Sequence, residues 1–446
     1  MLKIASFVII GFYLLITLVY LIRLMVFAAH LKRTKKIESI KDFKKEIVFV
    51  LPMYKEQNMA KDTFNFFVEL SKSKPNTRVI FVTTKKEKST KELKSTHDIL
   101  NELITEENKE YVRLYDYPFE TGVMAHQVNY GVKQYSEENP NKDLWVAIYN
   151  CDSRLSEESL NEIYYNVNNA NDDTVFQQYS YYFVPNKKGR SIPLSSAVWQ
   201  TRWSIFKENA VARNKNIVLD WNLRNKKFQS LIEPFVYCIG HGCIANVNTF
   251  INCGGMPEDT INEDCFMGYV FNCENKRIVP LYNLEKAESV SSTKALIKQQ
   301  TSWFNGPVDS LNYYKHYKNG TNGQLSRPLC KKEDKFRAKV LAYKSFNYAI
   351  HWLCSPFIML VALPILLSLV YGWWGLLITL GVAEIYLFGI NILMYYYLKL
   401  IKIHIPHPSL IFDIAFYFCH GLSALIWVFK QIFKKNSINN KYKTER

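Results

Sequence analysis

Four carboxylates, Glu258, Asp259, Glu263 and Asp264, fall within seven residues directly after a Gly-Gly-Met-Pro turn. Acids in a first turn complement the helix dipole, and Thr260 with Glu263 fits a capping box, which accounts for part of this cluster. Phe266, Tyr269 and Val270 follow at helical spacing on one face. Further on, Gln299, Gln300, Thr301, Ser302, Trp303 and Phe304 lead into Asn-Gly-Pro. A Trp-Phe pair among amides suits a platform for a flat ring such as a sugar. A close pair of acids such as Glu263 and Asp264 favours keeping one proton. Upstream, the apolar run 144–153 ends in Asn150-Cys151-Asp152-Ser153. A carboxylate there suits a hard divalent cation, Mn2+ or Mg2+, bridging to substrate phosphates, although strand-end aspartates also cap turns. Gly240-His241-Gly242 sets a histidine between two residues that let backbone approach a ligand closely.

These groups need a scaffold, and the pattern from residue 46 onward supplies one. The stretch 47–57 reads as a buried strand that ends at Pro52 and leads into a loop, and 78–84, 111–118 and 144–153 read as three further strands in an alternation of strand and helix. That alternation predicts an α/β domain with a mostly parallel sheet. Ligands bind beyond the carboxyl ends of such strands, which places Tyr54, Glu56, Thr83, Asn150 and Asp152 on one rim. Between 175 and 248, the stripe Trp199, Trp203 and Phe206 reads as core.

Hydrophobic segments flank the domain. Residues 4–28 are long enough to cross a bilayer, and basic residues rather than a small-residue cleavage site follow them, so a retained anchor is expected. Three more apolar segments span 348–370 (with Pro356 and Pro364), 374–397 (with Glu384) and 410–433 (with Asp413 and His420). Membrane prolines are tolerated where neighbours re-satisfy the backbone, and a buried acid either marks a pathway or pairs with Trp or Tyr. The net charge of +16, with clusters at Lys32, Arg33, Lys35 and Lys36 and from Lys430 onward, points to an anionic membrane surface and not to nucleic acid. Positive charge after the first segment places the domain on the cytoplasmic side. Three further crossings would then put the basic tail outside, so either the last segment is re-entrant or interfacial, the favoured expectation, or the positive-inside rule does not hold for this chain. Expected boundaries are an anchor at 1–30, a catalytic domain at 31–310, an interfacial linker at 311–345, two or three crossings at 346–434 and a basic tail at 435–446. Nine cysteines are scattered singly without a C-x-x-C pair and indicate neither a zinc site nor a disulfide framework.

Four motifs occur in order: LPMYKEQ, TGVMAHQVNYG, NCDS, and the acidic cluster with QQTSW. Together they resemble those of membrane-embedded family-2 glycosyltransferases of the polysaccharide-synthase type, related to hyaluronan and cellulose synthases. The resemblance runs from about residue 47 to 307. It implies a GT-A fold, a nucleoside-diphosphate sugar donor (a UDP-sugar foremost), a divalent metal and inversion at the anomeric carbon. By this resemblance Asp152 holds the metal, and Pro52, Tyr54, Glu56, Thr83, Gln127, Asn129 and Asn150 line the donor site. Asp264, beside Glu263, is the general base; Gly240, His241, Gly242 and Trp303 face the acceptor; Gln299 and Ser302 lie near the diphosphate. The sequence departs from the family in three places. D-x-D is Asn150-x-Asp152, the Asp-Asp after the second strand is Thr83-Thr84-Lys85-Lys86, and the Arg of Q-x-x-R-W is Ser302. The last removes a bidentate cation for phosphate, which the metal or a lysine such as Lys55 can replace.

The expected function is extension of a cell-surface or capsular polysaccharide at the inner face of the plasma membrane. The rival enzyme reading is transfer of a single sugar to a polyprenyl-phosphate or glycolipid acceptor. A non-catalytic scaffold that keeps the fold is the alternative of another class. About four apolar segments are few for a polymer path, so a homo-oligomer or an export partner would complete one.

Overall fold

The computed structural model describes residues 1–31, 43–90, 93–140, 142–185, 189–260, 262–321, 323–405 and 409–433. The basic residues Lys32, Arg33, Lys35 and Lys36 and the tail beyond 433 lie outside the described residues. Strands β1 (Glu46–Pro52), β2 (Thr77–Thr84), β3 (Val112–Tyr117) and β4 (Leu144–Ile148) fall where the apolar runs predict them. With β5 (Thr174–Gln177), β7 (Cys243–Asn246) and β8 (Arg277–Pro280) they form a seven-stranded sheet ordered β3-β2-β1-β4-β7-β5-β8. All pairings are parallel except those of β7, which runs antiparallel to β4 and β5. A separate parallel pair joins β6 (Ser180–Phe183) to β9 (Glu285–Glu288).

Side chains alternate across β1 and bury on both faces. Val48 and Val50 join the core with Ala125, Val128 and Val132 of the helix Met124–Glu138. Ile47, Phe49 and Leu51 join the core with Phe64 and Phe67 of the helix Gln57–Ser73. This two-sided burial explains why β1 reads as a continuous apolar run. β4 ends at Ile148, so Asn150–Ser153 is a turn beyond the strand, closed by Ser153 N donating to Asn150 O at 3.1 Å.

Four described helices, Leu2–Ala29, Lys335–Tyr371, Trp373–Leu400 and Leu410–Phe433, are long and apolar enough to cross a membrane. The second starts at Lys335, well before the apolar run, and continues through residue 345. Beyond Pro356, which cannot donate to the helix ladder, it passes through a π-helical segment, Ile358–Ala362. Trp199 and Phe206 are buried against these helices, as core. Glu384 instead sits on the exposed outer face of its helix and not between helices. Asp413 is buried and accepts from Asn391 Nδ2 at 3.1 Å. All nine cysteines are free thiols.

Candidate active site

The rim at the carboxyl ends of β1, β2 and β4 gathers most of the residues that sequence singles out. Gly242 N donates to Ile148 O at 2.7 Å, which sets the Gly240–Gly242 loop at the end of β4 beside the Asp152 turn. The helix carrying Asp264, Glu263–Cys273, begins one residue after its N-cap Asn262. Asn262 makes no side-chain cap bond, and Thr260 is not part of a capping box. The Thr260 hydroxyl is buried without a partner among the described residues. What holds this helix is its approach to backbone. A Cβ at Gly268 would stand 2.4 Å from Cys238 N, so only glycine lets the helix lie on the segment leading to Gly240.

That contact aims Asp264. Its Oδ2 lies 3.5 Å from where a Gly240 Cβ would be, and its Oδ1 accepts from Cys265 N at 2.8 Å. Asp264 is half-buried and reachable, whereas Glu263 is 1% exposed and turned into the interior. The adjacent acids thus occupy different environments. Gly242 has φ +67°, and a Cβ there would sit 2.5 Å from Gln178 O. Its glycine serves packing against protein backbone, where sequence reasoning assigned that freedom to a ligand.

Two acids that sequence reasoning missed connect the rim. Glu285, at the start of β9, lies 3.3 Å from His241 Nε2, and His241 Nε2 also bonds Ser180 Oγ at 2.7 Å. Burial pushes the Glu285 carboxyl up; His241 and a Ser153 hydrogen bond oppose this, and Asp152 adds to it. Glu208 accepts from Tyr237 OH and Ser204 Oγ, both at 2.7 Å. Burial pushes Glu208 up as well, Tyr237, Ser204 and His241 pull it down, and Asp264 adds to the rise. Asp152, Glu285, His241, Glu208 and Asp264 are therefore electrostatic neighbours along one track. No local pattern marked Glu208, which sits in an aromatic helical stretch, or Glu285, at the start of an exposed-looking strand.

A metal fits this track in a limited way. Among the described residues no three His, Cys, Asp or Glu side chains close a cage. Asp152 and Glu285 are nevertheless close enough to repel. A hard divalent ion held by one or two carboxylates and completed by substrate phosphates matches that donor set.

The remaining residues divide between contact and support. Gln127 Nε2 donates to Met53 O at 2.9 Å and Val82 O at 2.7 Å, tying the ends of β1 and β2. Asn129 donates to Met256 O at 2.7 Å and Glu258 Oε1 at 2.9 Å, and accepts from Met256 N. Both amides are buried and spend their bonds on the protein, so they position loops and do not face the rim. Past Pro52, Tyr54 lies between Lys55 and Lys86, whose ammonium groups are 5.4 and 5.2 Å from its ring. Glu87 fixes this loop by accepting from Lys55 N at 2.7 Å and Gln57 Nε2 at 2.6 Å, and Glu56 N donates to Thr96 Oγ1. Thr83 is buried and bonds Asp116 Oδ1 at 2.8 Å and His97 Nδ1 at 2.9 Å. Asp116 pairs with Thr83 in register across β3, so a carboxylate stands one strand over from where the family motif has one. Asn150 is half-buried beside its turn.

Trp303 and Gln299 come from the helix Thr293–Trp303. Asn262 Nδ2 donates to Trp303 O at 3.2 Å, joining that helix to the start of the Asp264 helix. Trp303 is 39% exposed and free to meet a ligand. Gln299 Oε1 is buried without a partner among the described residues, and Ser302 is half-buried. The same helix rests on the last membrane helix: Gln300 Oε1 meets His420 Nδ1 at 3.1 Å and Thr301 Oγ1 donates to Ser423 O at 3.2 Å.

The family model for glycosyl transferase family group 2 matches residues 145–398, more than half of the chain. The chain belongs to that family. This glycosyltransferase shares its fold with the mannosyltransferase PcManGT from Pyrobaculum calidifontis, solved with GDP-Man and Mn2+, at a TM-score of 0.51 and 11% identity over 98% of this chain and 100% of that one. S. aureus TarS 1–349 with UDP-GlcNAc aligns at a TM-score of 0.39 and 14% identity over 85% of this chain and 92% of that one. No curated protein matches the chain in sequence. The transferase is thus a GT-A-like α/β domain joined to apolar helices, and the acid track lies at the rim where such a sheet binds ligands.

Proposed function

We propose that the transferase moves a sugar, with inversion, from a nucleoside-diphosphate donor to a growing cell-surface polysaccharide at the cytoplasmic face of the membrane. The observation that carries this reading is the half-buried Asp264 carboxylate held against Gly240 on the rim that also bears Asp152. Inverting transfer needs one base opposite the leaving group, within hydrogen-bond reach of the attacking hydroxyl. In this reading Asp264 takes the acceptor proton at Oδ2. His241, backed by Glu285, and the buried Glu208 with Tyr237 fix the loop that holds Asp264 in place. Trp303 stacks the acceptor ring beside the Asp264 helix. Tyr54, with Lys55 and Lys86, receives the nucleotide end of a UDP-sugar, and Asp116 stands in for the acid absent at Thr83. A divalent ion bound near Asp152 supplies positive charge to the departing diphosphate.

A lipid-linked acceptor is the second reading. The docking of the Trp303 helix on the helix Leu410–Phe433, which is apolar enough to cross a membrane, supports this reading. The deciding experiment incubates detergent-solubilised protein with a panel of nucleotide sugars and Mn2+ or Mg2+, beside Asp264→Asn. Metal-dependent turnover of one donor, lost in the variant, supports transfer. Donor binding without turnover in the wild type would move the reading to a non-catalytic scaffold.

A further inference from the structure

Away from the rim, three cations converge on one tyrosine between the catalytic domain and the membrane helices. The Arg202 guanidinium lies 4.4 Å from the Tyr20 ring, 4.6 Å from Trp199 and 5.0 Å from Tyr386. Lys207 Nζ lies 5.4 Å from Tyr20 and 5.9 Å from both Trp203 and Tyr348. Arg23 donates through Nη1 to Phe206 O at 3.3 Å.

Among the described residues none of the three makes an ion pair with a carboxylate. Glu208, next in sequence to Lys207, turns away to Ser204 and Tyr237. Arg202 reaches Asp413 only through Asn391, whose Oδ1 lies 3.3 Å from Arg202 Nη1. Burial holds the Lys207 ammonium below the usual lysine range; Tyr20 opposes this, and Arg23 and Arg202 add to it. Arg23 and Lys207 thus form a half-buried positive pair with aromatic walls and, among the described residues, no carboxylate partner.

The level of this pair identifies its partner. Arg23 stands in the last third of the first apolar helix, whose apolar span runs on to Ala29, so its long side chain can reach toward that end. Tyr348 stands where the second leaves its lysine-rich lead for its apolar run. Both mark the headgroup depth on the side facing the catalytic domain, where basic and aromatic residues meet lipid phosphates. Arginine and lysine together suit a phosphate, one as a fork and one as a point charge.

We propose that Arg23 and Lys207, walled by Tyr20, Trp203 and Tyr348, bind the phosphate group of a membrane lipid. The site joins the catalytic rim through one layer of side chains. Trp203 Nε1 and Glu208 both bond Tyr237 OH, and Glu208 bears electrostatically on His241 and Asp264. A lipid-linked acceptor held here by its phosphate is one layer of side chains away from the Asp264 side of the rim. That last step rests on the transfer reaction proposed above, and the phosphate site does not.

The test uses the full chain in neutral detergent without donor. Native mass spectrometry measures binding of dioleoyl phosphatidic acid, of phosphatidylcholine with the same chains, and competition by inorganic phosphate. We expect phosphatidic acid to bind about tenfold more tightly than phosphatidylcholine. We expect Lys207→Gln with Arg23→Gln to abolish that preference, Lys207→Arg to retain it, and millimolar phosphate to leave it unchanged. Equal binding of the two lipids, or a preference that survives the double variant, overturns the site. Competition by phosphate at the concentration of the lipid overturns the lipid assignment. Because no donor is present, the result is independent of whether turnover is found.

Discussion

The rim of the sheet collects carboxylates, and the seam against the apolar helices collects cations, and the two regions handle like charge by different means. On the rim, Glu208 and Glu285 are buried with hydroxyl hydrogen-bond donors, a tyrosine and serines, and with His241 as an electrostatic neighbour, and burial raises their affinity for protons. A carboxyl can shed its charge by keeping a proton, so acids can be packed together near Asp152 and Asp264. An arginine has no such option. Arg202 is instead caged by three rings and by the Tyr386 carbonyl, 2.7 Å from its Nη1. That carbonyl lies in a π-helical segment, Glu384–Gly389, whose altered ladder leaves acceptors for side chains. The buried acids of the rim can thus change charge, whereas Arg202 in the seam keeps its charge.

The sharpest way to break this contrast is on the rim. Asp264→Asn is expected to lower turnover by about 10²–10⁴-fold while leaving donor binding intact, as measured by donor titration beside single-turnover assays. Retained turnover would remove the acid from the reaction. On the seam, Arg202→Ala leaves the Tyr386 carbonyl and Asn391 without their donor and opens a cavity, at a cost of about 3 kcal/mol. A detergent melting curve should fall accordingly, with donor affinity in the surviving folded protein unchanged. Equal stability would mean that the cage does not dock the domain.

Smaller effects refine the picture. Trp303→Ala should raise acceptor KM about tenfold, equivalent to roughly 1.4 kcal/mol, and leave donor hydrolysis alone. A matched loss of hydrolysis would move Trp303 from the acceptor side to the donor side. Lys215 supplies the counter-example of a buried cation that can shed charge. It is fully buried against Asn272, and burial lowers its pKa to about 7, with Arg337 adding to this and Glu233 opposing. The unfolded lysine keeps its proton to higher pH, so unfolding takes up a proton between about pH 7 and the unfolded value. Stability should therefore rise with pH across that window and not change below it. Lys215→Met should flatten the rise and add on the order of 1 kcal/mol at pH 7, read from melting temperatures at pH 7 and 9.

Much of the scaffold is legible in the chain because its signals are local. The runs that became β1, β2 and β4 are buried on both faces, and helices able to cross a membrane declare themselves by length and composition. The site is legible only in part. Asp264 stands out by its acidic neighbours, but burial of Glu263 and exposure of Asp264 depend on how the helix rolls onto Cys238. Gln127 and Asn129 sit in a motif that reads as ligand-binding, yet their amides are taken by Met53, Val82 and Met256, contacts between distant segments. The expected capping box failed for a related reason: the helix starts at Glu263 from Asn262, and packing rather than a cap sets its entry.

The sequence by itself determined the kind of molecule: an α/β domain with a parallel core, apolar helices on both sides and acids at strand ends, all set by periodicity and composition. Tertiary structure alone decided which charges meet. Glu208, Glu285 and His241 converge with Asp152 and Asp264, and Arg23, Arg202 and Lys207 converge on Tyr20, from separate parts of the chain. Electrostatic interaction depends on distance through space and on burial, and neither is encoded in local spacing.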